Sequence, residues 1–206
     1  MILVTTAYSP SNRTRSFVKD LIAILPNAKS LSRGKLNLDL LGAVAAEEGA
    51  EKVVIVKEKN GNPEALEVYE VKEAELVPLG TVRLKGVTLA REKGKRLYNV
   101  KRVCLRGYNL LPDVLDLVKK VSFLLNIPLA ESPEEAKDCD LIMDIEPKGN
   151  LYEVVFRVPG SPQPVGPSWR LRGVEVRGED KVGGFVEGGY TEGTEAGDRE
   201  PSSGEE

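Results

Sequence analysis

Short apolar runs alternate with stretches of helical period along the first 178 residues, and the series occurs twice. Ile2–Thr6 is a run of strand length. Ser9-Pro10-Ser11 then offers serine capping chemistry with proline at or near a first helical turn. Phe17, Leu21, Ile24 and Leu25 recur on one helical face, with Val18 and Ile22 beside them, and Pro26 ends the segment. A second helix is predicted from Leu38 to Glu48, stopped by Gly49. Val53–Val56 predicts a strand, Gly61-Asn62-Pro63 a turn, and Leu66, Val68 and Val71 the returning strand. The second series begins with a strand at Val103-Cys104-Leu105. A helix follows over Asn109–Leu125, then a short helical piece at Pro133–Ala136. A strand at Leu141-Ile142-Met143, a turn at Gly149-Asn150 and a strand alternating through Tyr152, Val154, Phe156 and Val158 complete it.

The repeated order predicts an internal duplication. Val18-Lys19-Asp20-Leu21 aligns with Val118-Lys119-Lys120-Val121, Leu25 with Leu125, and Gly61-Asn62 with Gly149-Asn150. The expected fold class is α/β, built from two related half-domains at about 1–75 and 100–176 in a pseudo-twofold relation. Residues 76–100 are expected to join them as strands (Val77, Val82, Leu84, Val87) and a basic loop. Beyond Val186 apolar residues are sparse among Gly, Glu, Ser and Thr, so residues 179–206 read as a disordered acidic tail following a domain at 1–178.

Composition narrows the chemistry. The chain has no histidine and only two cysteines, which removes imidazole-based catalysis and makes a structural zinc site untenable. Cys104 and Cys139 lie in apolar, strand-like runs and read as buried thiols of a reducing compartment, with a single bridge as the alternative. No run reaches the ~20 apolar residues of a membrane span, and the first residues lack signal-peptide character, so a cytoplasmic location is expected. One glutamine against abundant charge leans toward a thermophilic source. The net charge of −3 conceals an asymmetry: the tail holds nine acids and two bases, leaving residues 1–178 with 27 bases, 23 acids and a net +4.

Four stretches carry candidate chemistry. In Thr5–Phe17 a strand feeds a helix start that carries Arg13 and Arg15 where the macrodipole favours acids, with Lys19 one turn on. A phosphate would resolve the conflict, since helix N-termini and arginine forks both take anions; a solvated arginine pair is the alternative. Ser32-Arg33-Gly34-Lys35 lacks P-loop spacing but would extend the cationic surface. Residues 81–110 hold nine bases, Arg91, Lys93, Lys95 and Arg96 among them, against Glu92 alone, and Tyr98 and Tyr108 sit within the run. Bases with interleaved aromatics suit unpaired nucleic acid. In Pro164–Arg172 a strand period puts Trp169 and Leu171 on one face and Arg170 and Arg172 on the other. Asp138, Asp140, Asp144 and Glu146 share a parity that could hold Mg²⁺ in a nuclease, or simply form a solvated strand face.

The opening Thr5-Thr6…Ser9-Pro10-Ser11…Arg13-Thr14-Arg15-Ser16-Phe17-Val18-Lys19-Asp20-Leu21…Leu25-Pro26-Asn27-Ala28, followed by Arg33-Gly34-Lys35, resembles Brix-domain proteins of the archaeal branch. Gly166-Pro167-Ser168-Trp169-Arg170-Leu171-Arg172 resembles that family's C-terminal Gly-Pro-Arg-aromatic motif, with Ser168 standing where the family carries arginine. The resemblance spans roughly residues 1–176. It implies a duplicated α/β fold similar to the anticodon-binding domain of class II aminoacyl-tRNA synthetases. It also implies non-catalytic binding of pre-ribosomal RNA during ribosome biogenesis and rRNA processing, alongside other assembly proteins and without a cofactor. RNA contacts are then expected from Arg13, Arg15, Lys19, Arg33, Lys35, Arg91, Lys93, Lys95, Arg96, Arg170 and Arg172. A metal-dependent RNA-processing nuclease and a tRNA-binding accessory module are the rival readings.

Overall fold

Among the described residues ten strands form one sheet in the order β2-β1-β3-β4-β5-β10-β9-β8-β6-β7. The structure is a computed structural model that describes residues 1–94, 97 and 99–178; Lys95, Arg96, Tyr98 and the acidic segment 179–206 lie outside the described residues. The elements in chain order are β1 (Ile2–Thr6), α1 (Asn12–Ile24), β2 (Ala28–Ser30), α2 (Leu38–Glu47), β3 (Lys52–Lys59), β4 (Asn62–Lys72) and β5 (Glu75–Thr88). A 3₁₀ turn at Ala90–Lys93 leads to β6 (Val103–Arg106), α3 (Pro112–Leu125), β7 (Leu129–Ala130), α4 (Pro133–Lys137), β8 (Leu141–Lys148), β9 (Leu151–Arg157) and β10 (Pro164–Val176). Among the described residues no helix is long and apolar enough to cross a membrane.

Each half has the same wiring. β1 lies between β2 and β3 in parallel, as β6 lies between β7 and β8. Antiparallel hairpins β3-β4-β5 and β8-β9-β10 follow. The halves meet where β5 runs antiparallel to β10, pairing Trp169 with Val87 and Val174 with Val82. The first strand of the expected connector is therefore a central strand of the sheet. The helices obey one offset: Phe17, Val18, Leu21 and Ile24 are buried in α1, and Leu117, Val118, Val121 and Leu124 in α3. The turns do not obey the predicted one. The first is Asn60-Gly61, both at positive φ, and the second Gly149-Asn150 with only Gly149 positive. The equivalent positions are thus Asn60 with Gly149, not Gly61 with Gly149. Asn-Gly suits a type I′ turn and a leading glycine suits type II′, so both sequences close two-residue hairpins.

One apolar core spans both halves. α1 and α3 share this core on the same face of the sheet, with Val54, Leu66, Val82 and Leu84 from one half and Met143, Val154, Phe156 and Leu171 from the other. Trp169 sits between Phe17 and Phe156, each ring centroid 5.6 Å away. α2 covers Leu3, Val53 and Ile55 on the opposite face, and α4 covers Cys104 and Ile142 there. Gly80 and Gly166 are among the glycines that permit close approaches. A Cβ at Gly80 would lie 2.3 Å from the Glu175 carbonyl and 2.8 Å from Leu124, so α3 could not cross the seam so closely. Gly166, at φ +66°, lies against Leu97, and a Cβ there would come within 2.8 Å of it. Lys52, buried at the start of β3, reaches across and donates to the carbonyls of Phe123 and Leu124 and to Asn126 Oδ1, capping the C-terminus of α3. Burial pushes the Lys52 ammonium below the usual lysine range.

The reading of Cys104 and Cys139 as free thiols needs correction. β6 and the end of α4 bring their Cα atoms to 6.0 Å and the two form a disulfide. Sequence spacing alone gave no sign of this, because the approach depends on β6 and β8 pairing in parallel with α4 folded over them. Protein disulfides occur inside cells chiefly in hyperthermophiles. A bridge between positions 35 residues apart removes denatured-state entropy worth about 3–4 kcal/mol. Adding a reductant should therefore lower the unfolding temperature by roughly 10 °C, and Cys104→Ser/Cys139→Ser should match the reduced protein. Superimposable melts with and without reductant would refute the bridge.

Candidate nucleic-acid interface

The α1 N-terminus already has an anion. Ser11 caps the helix by accepting from the Thr14 amide. Glu58, at the end of β3, accepts from the Ser11 amide at 3.0 Å and from the Thr14 hydroxyl at 2.5 Å. Those bonds, the Thr14 hydroxyl first, hold the Glu58 carboxyl below the usual carboxylate range. The helix therefore recruits its acid from a hairpin 44 residues downstream, which local sequence could not reveal. Arg13 is engaged as well. Its guanidinium pairs with Glu92 at 2.5 Å and donates to the Val87 carbonyl, fastening α1 to the end of β5. Glu58 thus stands at the helix end where a phosphate was expected, and Arg13, still partly exposed, is paired with Glu92.

The remaining cations of the opening motif gather on the flank. Arg15 and Lys19 are exposed on α1 and line a depression of about 480 Å³ together with Arg33 and Ser9, Ser30 and Ser32. Arg33 is 7% exposed, donates to the Leu36 carbonyl at 2.6 Å and the Thr6 carbonyl at 3.4 Å, and lies over the Tyr8 ring. Lys19 also lines a neighbouring depression of about 390 Å³, with Ser16, Arg91 and Pro167. Asp20 of α1 accepts from the Ala90 amide and so positions Arg91 beside it. Among the described residues Arg15, Lys19, Arg33 and Arg91 form no ion pair. They make one track along α1, near the C-terminal ends of β1 and β2, where open parallel sheets hold ligands.

The other predicted positions fall elsewhere. Lys35 is exposed on the loop after Arg33 but lines neither depression. Lys93 turns toward the β8–β9 hairpin; its ammonium is lowered by burial first, then by Arg157 and Lys148, against the opposing pull of Glu153. Lys95 and Arg96 are outside the described residues. Arg170 and Arg172 are exposed on β10 while Trp169 and Leu171 enter the core shared with α1, so these arginines leave from the opposite face of the sheet. Ser168, at the position of the family's arginine, is buried. The acidic row is neutralised: Asp144 pairs with Arg106 and Arg157, and Glu146 with Arg157. Asp140 accepts from the Lys101 and Arg102 amides, which depresses its pKa. These carboxylates are filled by arginine forks and loop amides, and the set does not fit a cation.

Comparison with known proteins agrees with this fold. No protein-family model matches the chain. A probable Brix domain-containing ribosomal biogenesis protein of Aeropyrum pernix is 33% identical over 174 residues, covering 82% of this chain and 93% of that one. The chain belongs to the Brix-domain family. A second Brix-domain relative, from Methanopyrus kandleri, is 30% identical over 69% of this chain and 79% of its own. The crystal structure of the probable ribosomal biogenesis protein of Aeropyrum pernix superposes with a TM-score of 0.72, at 31% identity, over 82% of this chain and 94% of that one. The archaeal Imp4-like protein Mil shares the fold, with a TM-score of 0.62 at 19% identity, over 84% and 99% of the two chains.

Two predictions separate framework from surface in this Brix domain. Arg13→Ala should lower stability by about 1 kcal/mol, since a partly screened, charge-assisted contact is lost. An unchanged melt for Arg13→Ala would show that the Glu92 pair contributes nothing. Glu58 and Glu92 both have carboxyls depressed by their hydrogen-bond donors, so their stabilisation is complete above the unfolded carboxylate range and is lost as pH falls through the lower folded values. Glu58→Gln should melt lower than the parent at pH 7, with the gap closing toward pH ~3; a gap independent of pH would contradict the assignment.

Proposed function

We propose that this Brix-domain protein is a ribosome biogenesis factor that binds pre-ribosomal RNA without doing chemistry, assisting its folding or processing in the cytoplasm. The carrying observation is the Arg33–Arg15–Lys19–Arg91 track, whose cations form no ion pair among the described residues and line adjoining depressions. Unpaired cations on a concave surface lower their mutual repulsion when a polyanion enters, and each phosphate contact releases counterions. The relatives named as ribosomal biogenesis proteins supply the biological setting. The matching wiring of the halves supports an origin by duplication, and a kinship with the synthetase anticodon-binding fold is what the family resemblance implies. Other assembly proteins are the expected neighbours on the particle.

The test is ribosomal RNA binding by Arg15→Gln/Lys19→Gln/Arg91→Gln across a salt series. Affinity at moderate salt should fall about tenfold or more, and the salt slope should become shallower by about 0.9 for each lost contact. Binding unchanged at every salt concentration would overturn the track. Normal RNA binding with failure to join pre-ribosomal particles would reassign these side chains to a protein partner. Crosslinking in cells distinguishes ribosomal RNA from tRNA as the ligand.

A further inference from the structure

Arg33 separates two depressions of different chemistry. On one side lies the cationic basin of Arg15 and Lys19. On the other lies a hollow of about 450 Å³ lined by Tyr8, Asn37, Leu38, Asp39 and Tyr69, and Arg33 lines both. Tyr8 is built as a platform. Its hydroxyl donates to the Leu36 carbonyl at 2.9 Å, and the Arg33 guanidinium carbon sits 4.5 Å from the ring centroid. The ring nevertheless remains 53% exposed. A ring tethered at its hydroxyl and backed by a buried cation has little side-chain freedom left to lose when something stacks on its open side. Around it the hollow offers polar edges. Asn37 spends its carbonyl oxygen on the Leu40 amide at 2.9 Å, which leaves its NH₂ as a donor. Asp39 supplies an acceptor, and Leu38, 44% exposed, an apolar wall.

We propose that these adjoining depressions take a single unpaired nucleotide of the bound RNA, its phosphate in the Arg15–Lys19 basin and its base stacked on Tyr8. The proposal rests on the RNA-binding reading and deepens it: the surface reads a strand break, bulge or loop, because a base paired within a helix cannot present its face to a side chain. Phosphate contacts alone would fit any polyanion. The aromatic face with hydrogen-bonding edges, set beside the cations and sharing a wall with them, is what selects a nucleotide.

The experiment uses the full chain and a short oligoribonucleotide carrying one 2-aminopurine, whose fluorescence is quenched on stacking. The single strand should bind with quenching. Tyr8→Ala should weaken binding by about five- to a hundredfold, the range for loss of one base–aromatic stack, and abolish the quench. Tyr8→Phe, which keeps the ring, should retain the quench, and a melt of each variant confirms that it is folded. The proposal falls if Tyr8→Ala quenches like the parent, or if the corresponding duplex binds as tightly as the single strand. It falls equally if a free mononucleotide binds as tightly as the oligomer, for then the RNA chain adds nothing. Should the Arg15/Lys19/Arg91 variant lose ribosomal RNA while Tyr8→Ala changes nothing, the nucleotide slot is wrong and the RNA reading stands; should neither matter, both are wrong.

Discussion

The antiparallel pairing of β5 with β10 is the constraint on which the rest of the molecule depends. Each half alone would end in a long strand with an open row of backbone donors and acceptors, the edge that soluble proteins avoid. Joining them turns two five-stranded units into one sheet and places α1 and α3 on the same face, sharing a core. The seam also fixes the tolerances. Gly80 is needed where α3 crosses it, and Trp169 must fit between Phe17 of one half and Phe156 of the other. Among the described residues the Trp169 indole nitrogen is a buried donor without an acceptor. The packing of three aromatic rings at the seam is kept despite that cost, of order 1–3 kcal/mol.

Periodicity made most of the elements legible. The strand at Ile2–Thr6 and the ends of α2 stand within a residue or two of expectation, and the offset of one hundred residues between α1 and α3 was visible in Val18 and Val118. Such features are local: an apolar face, a cap, a glycine stop. The Gly-Asn dipeptides misled by one position because hairpin closure depends on φ at each turn residue, and Asn enters the left-handed region more readily than other residues with a Cβ, as Asn60 does here. The disulfide was illegible for the opposite reason. It depends on a parallel strand pair and a five-residue helix folded over it, which no local pattern encodes.

Charge was the least legible property. Nine bases against Glu92 describe residues 81–110 in sequence, but the fold supplies acids from far away: Glu175 to Arg83 and Asp144 to Arg106, while Glu92 itself turns to Arg13. What looked like one cationic track is dispersed over both faces of the sheet. Arg15, Lys19, Arg33 and Arg91 come together only because α1 lies across the ends of β1 and β2 and because Asp20 holds the 3₁₀ turn against the helix. A run of like charge therefore predicts a surface poorly; which of its members remain unpaired after folding predicts it better.

Arg33 shows how a protein can stabilise a loop without surrendering charge. Arg13 and Arg106 are fixed by carboxylates, and each pair is close to neutral when seen from solvent. Arg33 is fixed by two backbone carbonyls and an aromatic face instead, so its hydrogen bonds tie the loop at 31–37 to the end of β1 while the full positive charge survives. Burial of an unneutralised guanidinium is costly, though less so than for an ammonium, because the charge is delocalised and more weakly hydrated. The five donors in a fixed fork explain why arginine suits this position: some satisfy carbonyls in the loop, and the charge is shared with the space on either side. Asp39 and Glu67 line the hollow on the Tyr8 side of Arg33, yet among the described residues neither forms an ion pair with it. On the basin side the charge of Arg33 therefore adds to those of Arg15 and Lys19, and the three cations form a surface whose electrostatic strain an incoming phosphate would lower.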